Sequence, residues 1–226
     1  MRIQIVCNLA LLTTVIFFAV GTMAQGADPT DTAAKDSIDW KPLCDDQHVD
    51  RWQVVDQDDF ERHGPVQIKV DSLVLQAGEP ATGVRFTGKF PKTDYELALE
   101  AKRTAGNDFF CGLTFPVGEG SLTLIMGGWS GWVVGLSCID GAYAIDNDTC
   151  RAIRFKQDQW YRVRVRVADK LVEVLVDDEH LIELKTDGHK LSVSDEMKPC
   201  LPLGIATWKT TGAIRKIRYR PLPAKD

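Results

Sequence analysis

The sequence predicts an all-β protein, a sandwich or jelly roll of antiparallel strands. Three observations carry this. Nearly every segment after Ile38 alternates apolar and polar side chains with period two. Gly, Pro, Asp and Asn interrupt the alternation at short intervals. No long amphipathic helix appears anywhere in the 226 residues. Strict alternation marks strands with one buried face, and many such strands separated by turn signals mark a sandwich or jelly roll.

The elements follow in order. Met1-Arg2 precedes an apolar run from Ile3 to Val20 and then small residues up to Ala27. A charged start, an apolar stretch and a small-residue zone describe a secretory signal peptide over 1–24, cut after Ala24, which places the chain outside the cell or in the periplasm. The run is also just long enough to span a bilayer if it is retained. Residues 25–37 are small, polar and aperiodic, a disordered spacer. Residues 38–223 have the size of one all-β domain. Asp45 to Arg51 suits a short turn of helix. Tyr95, Leu97, Leu99 and Ala101 alternate with Glu96, Ala98, Glu100 and Lys102 as a strand. Tyr161, Val163, Val165 and Val167 alternate with Arg162, Arg164 and Arg166, and a tight turn at Ala168-Asp-Lys170 returns the chain through Val172, Val174 and Val176. This hairpin sets Arg164 or Arg166 near Glu173 on its wet face. A solvated face is favoured over a basic groove.

Composition excludes some functions. The formal net charge is −5, and loss of Arg2, the one charge in residues 1–24, makes it −6. A mildly acidic domain is a poor nucleic-acid binder, and no segment after the leader is apolar enough to cross a membrane. Five cysteines follow the leader, with no Cys-x-x-Cys, so a zinc ribbon or thioredoxin site is disfavoured. An oxidising compartment favours pairing. Cys138 with Cys150 is the first expectation and Cys44 with Cys200 the second, although all five could be reduced. Cys111, in an apolar run, reads as a small buried hydrophobe.

Catalytic signatures are absent. There is no Gly-x-Ser-x-Gly elbow, no His-Glu-x-x-His, no phosphate-binding glycine loop, and no strand with carboxylates at every second position. The histidines His48, His63, His180 and His189 are scattered beside charged or turn residues. Asp177-Asp-Glu-His180 offers metal ligands but falls where a hairpin must turn. The candidate site is Gly127-Gly-Trp-Ser-Gly-Trp132 with Asp140 and Asp146-Asn-Asp-Thr149 after it. Trp129 and Trp132 have opposite phase on a strand, so at most one faces the core and the other is free to stack on a sugar ring. Asp146, Asn147 and Asp148 would hold sugar hydroxyls or a divalent cation such as calcium, or they make the Asx turns of an ordinary loop. Asn147-Asp-Thr149 is also a glycosylation sequon. Arg103 and Asp108 flank the turn after the Tyr95 strand. They either brace it as an ion pair or line a cleft at the same sheet edge.

The order of Trp40-Lys-Pro-Leu43, Asp94-Tyr-Glu-Leu-Ala-Leu-Glu100, Gly106-Asn-Asp-Phe-Phe-Cys-Gly-Leu-Thr-Phe-Pro116, Gly127-Gly-Trp-Ser-Gly-Trp132, Asp146-Asn-Asp-Thr149, Trp160-Tyr-Arg-Val-Arg-Val165, Pro202-Leu-Gly-Ile-Ala-Thr-Trp208 and Ile214-Arg-Lys-Ile-Arg218 resembles a secreted bacterial family. That family, abundant in planctomycetes and once a domain of unknown function, is now labelled 3-keto-disaccharide hydrolase. The resemblance implies a concanavalin A-like lectin/glucanase fold, a jelly-roll sandwich of two antiparallel sheets. It also implies a carbohydrate ligand. The chain departs from the family pattern in reading Asn-Asp-Thr for Asn-Glu-Thr, in carrying two tryptophans rather than one in the glycine turn, and in reading Gly106-Asn-Asp-Phe109 for Gly-Asn-Ser-Gly.

Two functions follow from this reading. An enzyme acting on a 3-keto-glycoside needs a base for the acidified C2 proton, for which Asp148 is the choice, with Asp146 and Asn147 contacting carbonyl or cation. A lectin-like binding module needs only Trp129 or Trp132 as a stacking face, with Asp108 and Arg103 as further contacts.

Overall fold

The computed structural model describes residues 40–223. The expected leader and spacer lie outside the described residues. In chain order the strands are β1 (Lys41–Pro42), β2 (Trp52–Val55), β3 (Val66–Lys69), β4 (Ser72–Leu75) and β5 (Ala81–Phe86). Then come β6 (Tyr95–Ala105), β7 (Cys111–Val117), β8 (Gly120–Gly127), β9 (Val133–Ser137) and β10 (Arg151–Ala152). β11 (Tyr161–Ala168), β12 (Leu171–Val176), β13 (Glu179–Lys185), β14 (Leu203–Trp208) and β15 (Thr211–Pro221) complete the series. They form two antiparallel sheets. One runs β13-β12-β11-β6-β15-β4-β3, with β1 also on β15; the other runs β10-β9-β8-β7-β14-β5-β2. The all-β sandwich that the alternation predicts is the observed architecture. Asp45–Arg51 does contain a short helical piece, the 3-10 turn Val49–Arg51. Among the described residues no helix is long and apolar enough to cross a membrane.

The inner faces follow the period of two. Leu97, Leu99, Val163, Val165, Val172 and Val174 from the first sheet meet Leu113, Phe115, Leu122, Leu124, Leu136 and Ile205 from the second in one buried cluster. Fully burying each such side chain contributes about 1.5–3 kcal/mol. Tyr95 crosses the gap: its buried hydroxyl donates to the Pro116 carbonyl oxygen at 2.6 Å. Burial pushes the Tyr95 pKa up.

The outer face of the first sheet is an ion-pair lattice. Arg166 reaches Glu173 at 3.4 Å, Arg164 reaches Asp178 at 3.0 Å, and Arg162 reaches Asp178 at 2.8 Å. Each such exposed pair contributes roughly 0.2–1 kcal/mol. These contacts answer the question of a basic groove, because the arginines are neutralised by neighbouring strands. Asp177 and Asp178 form the β12–β13 turn, both with positive φ.

The outer face of the second sheet is different, because loops cover it. Strand glycines permit this. A Cβ on Gly204 would collide with the Cys200 carbonyl oxygen, and one on Gly83 would sit 2.5 Å from the Phe60 ring. Bare strand positions let the 3-10 turn Asp195–Cys200 lie flat on β5 and β14. Met197 and Cys200 are buried there with Val55, Phe60, Ala81 and Ala206.

The described cysteines are all thiols. The expected Cys44–Cys200 pair does not form because the two lie in separate cores. Cys44 packs in the main core and donates to the Lys69 carbonyl oxygen at 3.2 Å, whereas Cys200 lies outside the second sheet. Cys138 and Cys150 do not pair either. Cys138 neighbours Ser137 and Glu196, while Cys150 packs beside Ile125, Val133 and Ala144. Cys111 is the buried hydrophobe the sequence suggests.

Candidate functional site

An open cleft of about 300 Å³ lies on the covered face of the second sheet, lined by Asp108, Phe109, Ile125, Trp129, Ser137, Tyr143, Ser194, Glu196, Met197 and Trp208. Three parts of the chain build it.

The first is the glycine turn between β8 and β9. Gly127, Trp129, Ser130 and Gly131 all have positive φ, so the chain winds left-handed and neither tryptophan sits on a strand. The strand-phase expectation for Trp129 and Trp132 therefore does not hold, and neither ring enters the main core. Trp129 packs over Ile125 and Val133 and meets the Tyr143 ring edge-on at 6.5 Å. Trp132 turns away and is 43% exposed.

The second part is the crossing between sheets at 106–110 and 208–210. The Trp208 N–H donates to the Phe109 carbonyl oxygen at 3.0 Å, and the Asp108 N–H donates to Thr210 Oγ1 at 2.9 Å. Phe109 and Trp208 thereby stand together, centroids 6.1 Å apart, as an aromatic wall.

The third is the pairing of the loop after β9 with the approach to the Asp195–Cys200 turn. Cys138 and Ser192 exchange backbone hydrogen bonds at 2.6 and 3.1 Å, and Asp140 N donates to the Lys190 carbonyl oxygen at 2.9 Å. Asp140 is itself held by His189 at 2.7 Å, which keeps its carboxyl below the ordinary carboxylate range. This zipper brings Glu196 to Tyr143. The Tyr143 hydroxyl donates to Glu196 Oε1 at 3.4 Å, while Glu196 Oε2 is buried without a hydrogen-bond partner among the described residues. The Glu196 charge, with some burial, pushes the Tyr143 pKa up. Burial and then the same charge push the Cys138 thiol up. Among the described residues the lining carries two carboxyl groups and no cation.

The sequence-predicted residues divide. Trp129 and Asp108 meet in this cleft. Trp132 and Arg103 line a separate hollow, so the expected Arg103–Asp108 brace is absent: Arg103 donates to the Gly131 and Phe155 carbonyl oxygens at 3.4 and 2.9 Å. Asn147 is turned inward. Its amide donates to the carbonyl oxygens of Leu136, Ala142 and Tyr143, and its Oδ1 accepts from the Thr149 N–H and hydroxyl. That leaves it no free polar atom for a ligand, and its sequon is spent on loop architecture. Asp146 and Asp148, on either side, are exposed and do not line the cleft. Nor do the carboxylates of Asp140, Asp146 and Asp148 converge as calcium ligands; among the described residues the group close enough to hold a cation is Glu173, His180 and Glu183, on the other sheet.

Glu196, Tyr143, Phe109 and Trp208 escape sequence reasoning as a set. Their segments are far apart and aperiodic. The available signal was the run of strand glycines, which marks a face meant to be covered closely.

No protein-family profile and no curated relative matches the chain by sequence. Solved structures match by fold. A Bacillus subtilis protein of unknown function with a galectin-like fold superposes with TM-score 0.56 at 11% identity, over 81% of this chain and 95% of its own. A candidate glycosyl hydrolase of Parabacteroides distasonis gives 0.50 at 12%, over 87% and 99%. A carbohydrate-binding module of Bacillus subtilis, CBM66, gives 0.50 at 10%, over 75% and 95%. The fold is an all-β sandwich of the galectin-like, concanavalin A-like kind.

Proposed function

We propose that this chain is a carbohydrate-active domain that takes a sugar unit in the Trp129–Trp208 cleft and acts on 3-keto-glycosides. The observation that carries the reading is Glu196. A carboxylate oxygen buried without a partner, in a cleft walled by Trp129, Tyr143, Phe109 and Trp208, is a base waiting for a substrate proton. Aromatic faces suit the apolar faces of sugar rings, while Ser137, Ser194 and Asp108 suit hydroxyls. The carbohydrate-related names among the fold's neighbours and the resemblance to the 3-keto-disaccharide hydrolase family support it.

In this reading a ketone at C3 acidifies the C2 proton. Glu196 removes that proton, and the electron pair forms the enolate of the C3 ketone. The Tyr143 hydroxyl, within reach of the same carboxylate, donates to the developing oxyanion. The enolate then expels the C1 substituent, which takes up the proton that Glu196 removed from C2. Water adds across the resulting double bond to complete hydrolysis. Glu196 takes the base role that the sequence suggests for Asp148, because Glu196 faces the cleft and Asp148 does not. The protein works outside the cytoplasm, in keeping with its leader-like start.

A binding module is the second reading, favoured by the aromatic walls alone. Incubation with a 3-keto-glucoside separates them. Release of the C1 substituent shows catalysis. Sugar-dependent quenching of tryptophan fluorescence without release shows a binding module.

A further inference from the structure

The glycine turn has two sides. On the side away from the cleft lies a hollow of about 650 Å³ lined by Arg103, Ser130, Gly131, Trp132, Arg154 and their neighbours. We infer that this hollow is a second ligand site, for a sugar unit that carries an oxyanion, a carboxylate or a sulfate.

Arg103 is 8% exposed, yet no carboxylate pairs with it among the described residues. Of the five N–H donors of a guanidinium, two go to the Gly131 and Phe155 carbonyl oxygens, and its buried Nε has no hydrogen-bond partner among the described residues. A buried cation held by two carbonyl dipoles and the Phe110 ring face, 5.8 Å away, still lacks a counter-charge, which an incoming anion supplies. Arg154 adds a second, exposed cation with no ion pair among the described residues. No described Asp or Glu lines the hollow. Trp132 supplies an exposed indole face against which a ring can lie, and Ser130 a hydroxyl. The charge is the reverse of the first cleft, whose described lining has Asp108 and Glu196 and no cation. Negative sugars are therefore turned from the first cleft and drawn to the second, with one turn of chain between them.

The sugar half of this inference rests on the carbohydrate reading above. The anion half rests on Arg103 and Arg154. The test is titration of the whole chain with D-glucuronic acid, glucose 6-sulfate, D-glucose and inorganic sulfate, read by calorimetry. At low ionic strength at least one sugar anion binds about tenfold tighter than glucose, and added salt shrinks the margin. The tighter of the two names the anion. Trp132→Ala and Arg154→Gln, both at exposed side chains, each narrow the margin, as does Arg103→Gln if it folds, whereas Lys92→Gln, at an exposed cation outside both linings, leaves it in place. Equal affinity for glucose and both sugar anions overturns the inference while leaving the first cleft standing. Inorganic sulfate that binds as tightly as glucose 6-sulfate, regardless of Trp132, overturns the sugar half. Failure of both sugar anions to bind overturns this inference, whereas the carbohydrate reading is tested separately by release from a 3-keto-glucoside.

Discussion

Tyr143 and Glu196 are 53 residues apart in sequence and share a hydrogen bond of 3.4 Å at the mouth of the cleft. The Glu196 charge is the largest cause raising the Tyr143 pKa above the ordinary 10.0. A phenol whose folded pKa is raised stabilises the fold at pH values below its unfolded pKa. That contribution is lost as pH rises through the folded value. Ultraviolet titration of the phenolate therefore shows Tyr143 ionising above 10.0, and Glu196→Gln returns it toward that value. An unchanged Tyr143 in the variant places the carboxylate elsewhere.

Asn147 holds the loop after β9 through five hydrogen bonds. Truncation to alanine strands several backbone carbonyls, at a cost of about 1–3 kcal/mol for each buried group left unpaired. Asn147→Ala lowers unfolding free energy by about 3 kcal/mol in urea, with partial compensation by water. Asn147→Asp is worse, because an oxygen then faces the carbonyls that the amide now serves.

The glycine turn stores strain at Ser130, whose φ is 68°. Ser130→Gly relieves it and stabilises by about 0.5–1 kcal/mol, a rise in Tm of roughly 1–4 °C for a domain of this size. Gly131→Ala does the opposite, since φ is 95° and the added Cβ would lie 2.6 Å from Arg103 Nη1. Thermal melts of the two variants move in opposite directions.

Thiol chemistry checks the cysteine assignment. Burial pushes Cys111 and Cys200 to about 12 and Cys44 to about 11, so none of these is a thiolate at neutral pH. Protein lacking residues 1–24 reacts slowly with a thiol reagent when folded. It yields five thiols on denaturation without reductant. Fewer than five would mean a disulfide.

The sandwich was legible because burial on one face leaves a period of two. The Tyr161–Ala168 and Leu171–Val176 strands and the Arg166–Glu173 pair follow directly from that alternation. The cleft was only half legible. Trp129 and Asp108 stand out locally, but their partner Glu196 lies in an aperiodic segment whose position depends on long-range pairing of Cys138 with Ser192. Short polar residues around Asn147 look like a ligand set because the same side chains that grip sugars also grip backbone. Only the loop's geometry shows that Asn147 is turned inward, leaving Asp148 outside.

Catalysis at Glu196 is tested most directly by turnover of a 3-keto-glucoside by wild type, Glu196→Gln and Asp148→Asn. The buried, unpartnered Oε2 predicts that Glu196→Gln lowers kcat by about 10²–10⁴-fold, the usual worth of a general base, while Asp148→Asn keeps wild-type turnover. Full turnover by Glu196→Gln, or its loss in Asp148→Asn, would contradict the account.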